Sequence, residues 1–181
     1  IRPLSAFLIL LAAWVLMGCT PQGEQAIAHA QPAKQYAMDH HSHARPGEAV
    51  ATHLDLDIRV DLDRKQITGT ATYQLKRQSG DSVIFDTDGL TIEKVTLADG
   101  TELAFTMGAK DPILGQALRV ALPAGVDKVS ITYGAGSEAK ALQWLSPEQT
   151  ADRKFPFLFT QGEAILTRTW IPIQDSPGIR I

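Results

Sequence analysis

A strict alternation of apolar and charged residues over nine positions constrains the fold of this chain most. The stretch from Leu54 to Leu62 reads Leu-Asp-Leu-Asp-Ile-Arg-Val-Asp-Leu. A period of two places the apolar side chains on one face of an extended strand and the charged ones on the other. Asp63 to Gln66 then supply a turn, and Ile67 to Leu75 alternate again. The pattern predicts an antiparallel β-hairpin with one buried face.

Short strands continue after the hairpin, separated by turn signals such as Asp88-Gly89 and Pro123-Ala124-Gly125. The predicted strands are Ser82–Phe85, Thr91–Leu97, Leu103–Met107, Ala117–Leu122 and Lys128–Tyr133. No long amphipathic helix is predicted between them. The fold class is therefore all-β, an antiparallel sheet of saddle or sandwich type.

The sequence pattern changes after these strands. Ser146 followed by Pro147 and Gln149 is typical of a short helix start, with serine as the N-cap and proline in the first turn. Three phenylalanines then recur with period two, and we expect them to pack against the sheet. They are Phe155, Phe157 and Phe159.

Charge excludes one class of partner. The net charge is −3 with a pI near 5.9, and no basic stripe is present, so the chain is not expected to bind nucleic acid. A hydrophobic content of 44% is that of a globular protein, so a packed core is expected.

The first eighteen residues have the organisation of a signal peptide. An apolar run from Leu4 to Leu16 follows Arg2. This run is too short for a membrane-spanning helix of about 20 residues, but it fits the apolar region of an export signal. We predict that residues 1–18 direct export.

A single cysteine follows this signal and excludes an internal disulfide bond. Leu16-Met17-Gly18-Cys19 resembles the lipobox of bacterial lipoproteins, which predicts lipidation of Cys19 and an anchor in the cell envelope. Thr20 at the next position favours the periplasmic side of the outer membrane. The alternative is an ordinary secretory signal with a cysteine near the cleavage site.

A polar segment separates the lipidation site from the strands. Residues 19–48 are rich in Ala, Gln, Pro, Gly and His without apolar periodicity, so we predict a flexible linker there and a β domain over 49–181. The cluster His40-His41-x-His43 has two interpretations, a transition-metal site or a solvated part of the linker.

Seven short motifs occur in order along the chain. They are His53-Leu54-Asp55-Leu56, Ile67-Thr68-Gly69-Thr70-Ala71, Ile113-Leu114-Gly115, Leu142-Gln143-Trp144-Leu145, Pro147-Glu148-Gln149-Thr150, Phe157-Leu158-Phe159-Thr160-Gln161-Gly162-Glu163-Ala164-Ile165 and Ile171-Pro172-Ile173-Gln174-Asp175-Ser176-Pro177. Together they resemble the leukotriene A4 hydrolase-like branch of the M1 zinc aminopeptidases. The resemblance implies the N-terminal β domain of such an enzyme, ahead of a catalytic domain that binds zinc through two His and a Glu. The segment is accordingly expected to be incomplete at its C-terminal end.

The zinc-binding and catalytic motifs of that family are missing from this segment. None of the five histidines is followed by Glu, so there is no His-Glu-x-x-His, and Gly-x-Met-Glu-Asn is also missing. We expect no catalytic residue and no metal ligand here, and the segment alone to be inactive, because no metal-activated water is available.

One family motif concerned with the substrate is present as Gln161-Gly162-Glu163. The resemblance implies that Glu163 binds the free amino terminus of a peptide substrate and that Gln161 lines the pocket for its first side chain. Leukotriene A4 hydrolase itself has Gln at the Glu163 position, so Glu favours peptide over epoxide hydrolysis.

Three further residues in matched stretches are interpreted as structural. They are Arg168, Gln174 and Asp175, for which pairing or turn formation is expected. Two functions compete with that of an aminopeptidase domain: a free-standing, non-catalytic β-domain binding lipoprotein, and a structural protein of the envelope.

Overall fold

The computed structural model describes residues 38–181, which form nine strands and two short 3₁₀ helices. The signal peptide, Cys19 and most of the predicted linker lie outside this range. The strands are β1 (Ala49–Asp61), β2 (Gln66–Arg77), β3 (Ser82–Thr87), β4 (Thr91–Thr96), β5 (Phe105–Met107), β6 (Gln116–Ala121), β7 (Lys128–Ala135), β8 (Leu142–Leu145) and β9 (Phe157–Thr160). Within the described residues, no helix has the length and hydropathy needed to cross a bilayer.

Three antiparallel sheets make up the fold, so the predicted all-β class is confirmed. Their strand orders are β1-β2-β7-β4, β3-β6-β5 and β8-β9. Side chains of the first two sheets meet in one core, where the rings of Tyr73 and Phe85 lie with centroids 4.6 Å apart. The predicted hairpin is β1 and β2, with Leu56 opposite Ala71.

The apolar face of β1 is only partly covered by the rest of the described chain. Ala49 to Ala51 are buried, but Leu56, Val60 and Leu62 each keep about 40% of their surface exposed. The predicted burial of the apolar face is therefore incomplete over the second half of β1. The physical reason is position, since β1 lies at the edge of its sheet and has a paired neighbour on one side only.

The hairpin of β8 and β9 was not predicted, and it corrects the assignment of the three phenylalanines. Trp144 and Leu158 pair across the hairpin and pack onto a small second core that includes Ile67. Residues one position away lie on the opposite face, so Phe157 and Phe159 are 55% and 44% exposed. The period of two was correct, but the side chain that packs inward is the partly buried Leu158 and not a phenylalanine.

The short helix start is confirmed in a 3₁₀ helix at Pro147–Gln149. The side-chain oxygen of Gln149 accepts a hydrogen bond from the Ser146 N–H at 2.9 Å. This bond satisfies one of the backbone donors that the start of a helix leaves free.

The last residues of the predicted linker are packed against the domain. Ser42 and Ala44 are buried, and the Ser42 hydroxyl donates to Asp86 Oδ2 at 2.5 Å. The N–H of His43 donates to Asp86 Oδ1 at 2.6 Å. The domain boundary that we predicted at residue 49 therefore falls inside a packed segment, because Ser42 and His43 are hydrogen-bonded to Asp86.

Arg168 is the centre of a buried polar network. Its side chain is 1% exposed and donates to backbone carbonyls of His41 at 2.7 Å, Leu114 at 3.0 Å and Asp175 at 3.2 Å. The guanidinium also bonds the Asp175 carboxylate at 3.2 Å and lies 3.7 Å from that of Asp86. These contacts join one side chain to the N-terminal segment, to strand β3, to the turn before β6 and to the C-terminal segment.

Gln174 forms a second set of buried hydrogen bonds in the same region. It is 2% exposed, accepts from the N–H of Ala51 at 2.9 Å and donates to the carbonyls of Ala49 and Ile84. These bonds satisfy backbone groups where the register of β1 shifts between Ala51 and His53. The structural interpretation of Gln174 agrees with this position.

Removing the guanidinium is expected to destabilise the domain strongly. Arg168→Met leaves the Asp86 and Asp175 carboxylates without their buried cation, and loss of one partner of a buried pair costs about 3–5 kcal/mol. Guanidinium chloride unfolding measures this loss. Arg64→Met is the control, because the exposed Arg64–Asp61 pair has 3.9 Å between its atoms and contributes under about 1 kcal/mol. An equal, small loss in both variants contradicts the role of Arg168.

Two buried tyrosines should respond differently to loss of their hydroxyl groups. The Tyr73 hydroxyl donates to the Pro172 carbonyl, whereas that of Tyr133 has no hydrogen-bond partner within residues 38–181. Tyr73→Phe should therefore lower the free energy of unfolding by about 1 kcal/mol, and Tyr133→Phe should leave it unchanged or raise it. Equal losses in the two variants would show that Tyr133 has a partner.

Burial also raises the pKa of Tyr133 to about 12. Its contribution to stability is thus complete below the unfolded-state pKa near 10 and is lost as the pH rises from about 10 to 12. Alkaline unfolding of Tyr133→Phe should accordingly show a smaller loss over that range than the wild-type protein.

Candidate functional site

The predicted substrate motif lies in a loop that joins β9 to the second 3₁₀ helix, Thr167–Thr169. We refer to Gln161–Thr167 as the 161–167 loop. Ala141, which is fully buried beside β8, holds the first residue of the loop and also Thr169, two residues after its end. The Gln161 N–H donates to the Ala141 carbonyl at 2.9 Å, and the Ala141 N–H donates to Thr169 Oγ1 at 3.1 Å. A site on this loop is therefore anchored in the packed part of the domain.

Hydrogen bonds inside the loop define its shape. The Leu166 N–H donates to the Gly162 carbonyl at 2.8 Å, and the Thr169 hydroxyl donates to the Leu166 carbonyl at 2.7 Å. The side-chain oxygen of Gln161 accepts from the Glu163 N–H at 3.0 Å. The peptide bond between Glu163 and Ala164 is cis.

Gly162 is in close contact with the far side of the loop. A Cβ atom placed on it would lie 2.3 Å from Thr167 Oγ1, which is far inside van der Waals contact. A side chain at position 162 would therefore displace either the Thr167 hydroxyl group or the loop itself.

The two residues predicted to bind substrate are exposed. Gln161 and Glu163 both face solvent, and the Glu163 carboxylate has no hydrogen-bond or ion-pair partner within residues 38–181. The Gln161 oxygen is engaged by the loop itself, so its amide NH₂ group remains to donate outward. The structure thus brings a free carboxylate and a free amide donor to one anchored loop.

A carboxylate of this kind is suited to an ammonium group. Charge-assisted hydrogen bonds between the two are short and orienting, but in open water their energy is small because solvent screens the charges. The loop therefore becomes an effective binding site only where a second surface excludes water from it.

The residues present do not fit a zinc site. No group of three or more His, Cys, Asp or Glu side chains within residues 38–181 is arranged to hold a metal ion. Of the histidine cluster, His41 pairs with Asp39 at 3.3 Å and His43 donates its backbone N–H to Asp86.

The sequence did not reveal the residues that shape the loop. Ala141, Thr167 and Thr169 have no periodicity or motif that indicates a role, because their contacts depend on how β8 and the 3₁₀ helix meet. The one available signal was Gly162, because it is the middle residue of the predicted motif. Arg168 and Asp175 lie in the buried network and not on the exposed face of the loop.

Comparisons with known proteins agree with the motifs. A family model described as Peptidase M1 N-terminal domain matches residues 50–180. Leucine aminopeptidase 2 of Yarrowia lipolytica is 33% identical over 147 residues, covering 79% of this chain and 22% of that protein. Leukotriene A-4 hydrolase of Xenopus laevis is 32% identical over 149 residues, covering 78% of this chain and 24% of that protein.

Solved structures give the same assignment. Yeast leukotriene A4 hydrolase in complex with bestatin matches with a TM-score of 0.73 and 28% identity, over 82% of this chain and 24% of that one. An M1 zinc metallopeptidase from Deinococcus radiodurans shares the fold at 17% identity and a TM-score of 0.53. The chain spans under a quarter of the length of the curated relatives above. From its order of motifs, its antiparallel sheets and the match over residues 50–180, the chain belongs to the peptidase M1 N-terminal domain family.

Proposed function

We propose that this chain is the substrate-recognition domain of a zinc-dependent M1 aminopeptidase, and that Glu163 binds the free α-amino group of a peptide substrate. The observation that carries the proposal is the exposed Glu163 carboxylate, which has no partner within residues 38–181 and lies on a loop anchored at both ends. The similarity to leucine aminopeptidase 2 supports the reaction class.

The chemistry follows from the charges. An α-ammonium group is a cation with three donors, and a fixed carboxylate both binds it and orients the adjacent carbonyl group. Orientation of this kind lowers the barrier of a later step, because the reacting groups are already placed. Gln161, through its amide NH₂ group, lines the pocket for the first side chain of the substrate.

The remaining part of the active site is proposed to lie in polypeptide beyond this segment. Residues 38–181 offer no ligand set for zinc, so the zinc of the intact enzyme is assigned to a downstream catalytic domain. That domain also supplies the second surface that excludes water from the 161–167 loop. The segment by itself is expected to be inactive, and removal of zinc from the intact enzyme by a chelator should abolish hydrolysis.

A negative charge at position 163 favours peptides as substrates. A carboxylate attracts an ammonium group more strongly than the neutral amide of Gln does, and an epoxide carries no positive charge to attract. We accordingly propose that peptide hydrolysis is the main activity.

The test uses the full-length protein and an aminoacyl p-nitroanilide. Glu163→Gln removes one charged hydrogen bond that is worth about 1.5–3 kcal/mol, so kcat/KM should fall roughly 10- to 150-fold. Glu102→Gln is the matched control, since Glu102 is exposed between β4 and β5 and outside the loop. Unchanged kcat/KM in Glu163→Gln would refute the assignment of Glu163.

We also propose that the mature protein is anchored to the cell envelope through lipid on Cys19, on the periplasmic side of the outer membrane. Two or more acyl chains are enough for stable anchoring. Full-length protein in a Gram-negative host should incorporate labelled palmitate and fractionate with membranes, whereas Cys19→Ala should do neither. A wild-type protein that is secreted without label would support the ordinary signal peptide instead.

A further inference from the structure

The contact between Gly162 and Thr167 fixes the width of the 161–167 loop. The carbonyl of Gly162 accepts the Leu166 N–H at 2.8 Å, so the two sides of the loop are joined at this point. A Cβ atom on Gly162 would lie 2.3 Å from Thr167 Oγ1 but 3.4 Å from Thr167 Cβ. Only the hydroxyl oxygen is too close, and the rest of the threonine is in ordinary contact.

The two sides of the loop do not resist displacement equally. Thr167 directly precedes Arg168, whose guanidinium makes hydrogen bonds at 2.7–3.2 Å to three separate backbone segments. On the other side, the Gln161 N–H is bonded to the Ala141 carbonyl, whereas the exposed Glu163 is bonded through its N–H to the Gln161 side-chain oxygen. A group added between the two sides therefore moves the side that carries Glu163.

We propose that Gly162 is a positioning residue, and that the lack of a side chain beside Thr167 leaves Glu163 at the place where a substrate amine meets it. This inference rests on the proposed function and extends it to a residue that does not contact substrate. A side chain at position 162 has to move by about 1 Å to reach ordinary contact, since 3.4 − 2.3 = 1.1 Å. A misplacement of about 1 Å in an active site lowers catalysis by up to about 100-fold.

The proposal makes a prediction about rescue. In the full-length enzyme, Gly162→Ala should lower kcat/KM by about 10- to 100-fold, with most of the change in KM for the free-amine substrate. Thr167→Ala should stay within about 3-fold of wild type. The double variant should also return to within about 3-fold, because the alanine at position 167 lacks the oxygen that collides with the new Cβ.

A second comparison separates positioning from simple stability. If Gly162 acts through Glu163, then adding Gly162→Ala to Glu163→Gln should cost less than about 3-fold more. A full further loss of 10-fold or more in that background would overturn the proposal, as would a double variant with Thr167→Ala that is not rescued. Thermal unfolding of each variant checks that the protein is folded.

Thr167→Leu is an independent test of the proposal if Gly162→Ala does not fold. The larger side chain at position 167 pushes Gly162 away and should also raise KM. Wild-type kinetics in both Gly162→Ala and Thr167→Leu, together with a loss in Glu163→Gln, would overturn the positioning role alone. Wild-type kinetics in Glu163→Gln would overturn the proposed function, and this inference with it.

Discussion

The burial of one guanidinium group is the constraint on which the rest of this domain depends. Arg168 is almost fully enclosed, and a buried cation is tolerated only when its donors are satisfied and its charge is balanced. Burial raises the pKa of the Asp175 carboxyl, and the neighbouring Arg168 acts in the opposite direction. Satisfying Arg168 requires carbonyls from His41, Leu114 and Asp175, so segments that are far apart in sequence must converge.

The same constraint places the candidate site. Arg168 is fixed in the interior, and the residue before it, Thr167, faces Gly162 across the 161–167 loop. The other end of the loop is held by Ala141, which is buried beside β8. Loops that carry function are commonly positioned by a rigid scaffold, and here the scaffold acts through a polar network and not through the apolar core alone.

The alternating strands were predictable from sequence, because period-two patterning reports burial directly. Strands β2 to β7 lie within two residues of the predicted spans, whereas β1 begins five residues earlier than predicted. The hairpin of β8 and β9, with four residues in each strand, was missed. The period of two at Phe157 and Phe159 was recognised, but alternation alone does not say which face of a short strand is buried. The packing of Ser42 and His43 on Asp86 was also missed, because hydroxyl and backbone contacts across more than forty residues leave no periodic trace. Gln161 and Glu163 came from a family resemblance, and their role in binding stays a prediction.

The exposed faces of β8 and β9 have a practical consequence. Phe155, Phe157 and Phe159 together present three aromatic rings to solvent at the margin of a two-stranded sheet. Clustered apolar groups of this size are drawn out of water wherever another apolar surface is offered. These rings would lower the solubility of this domain prepared on its own, and replacing them with polar side chains would be the first step in producing it.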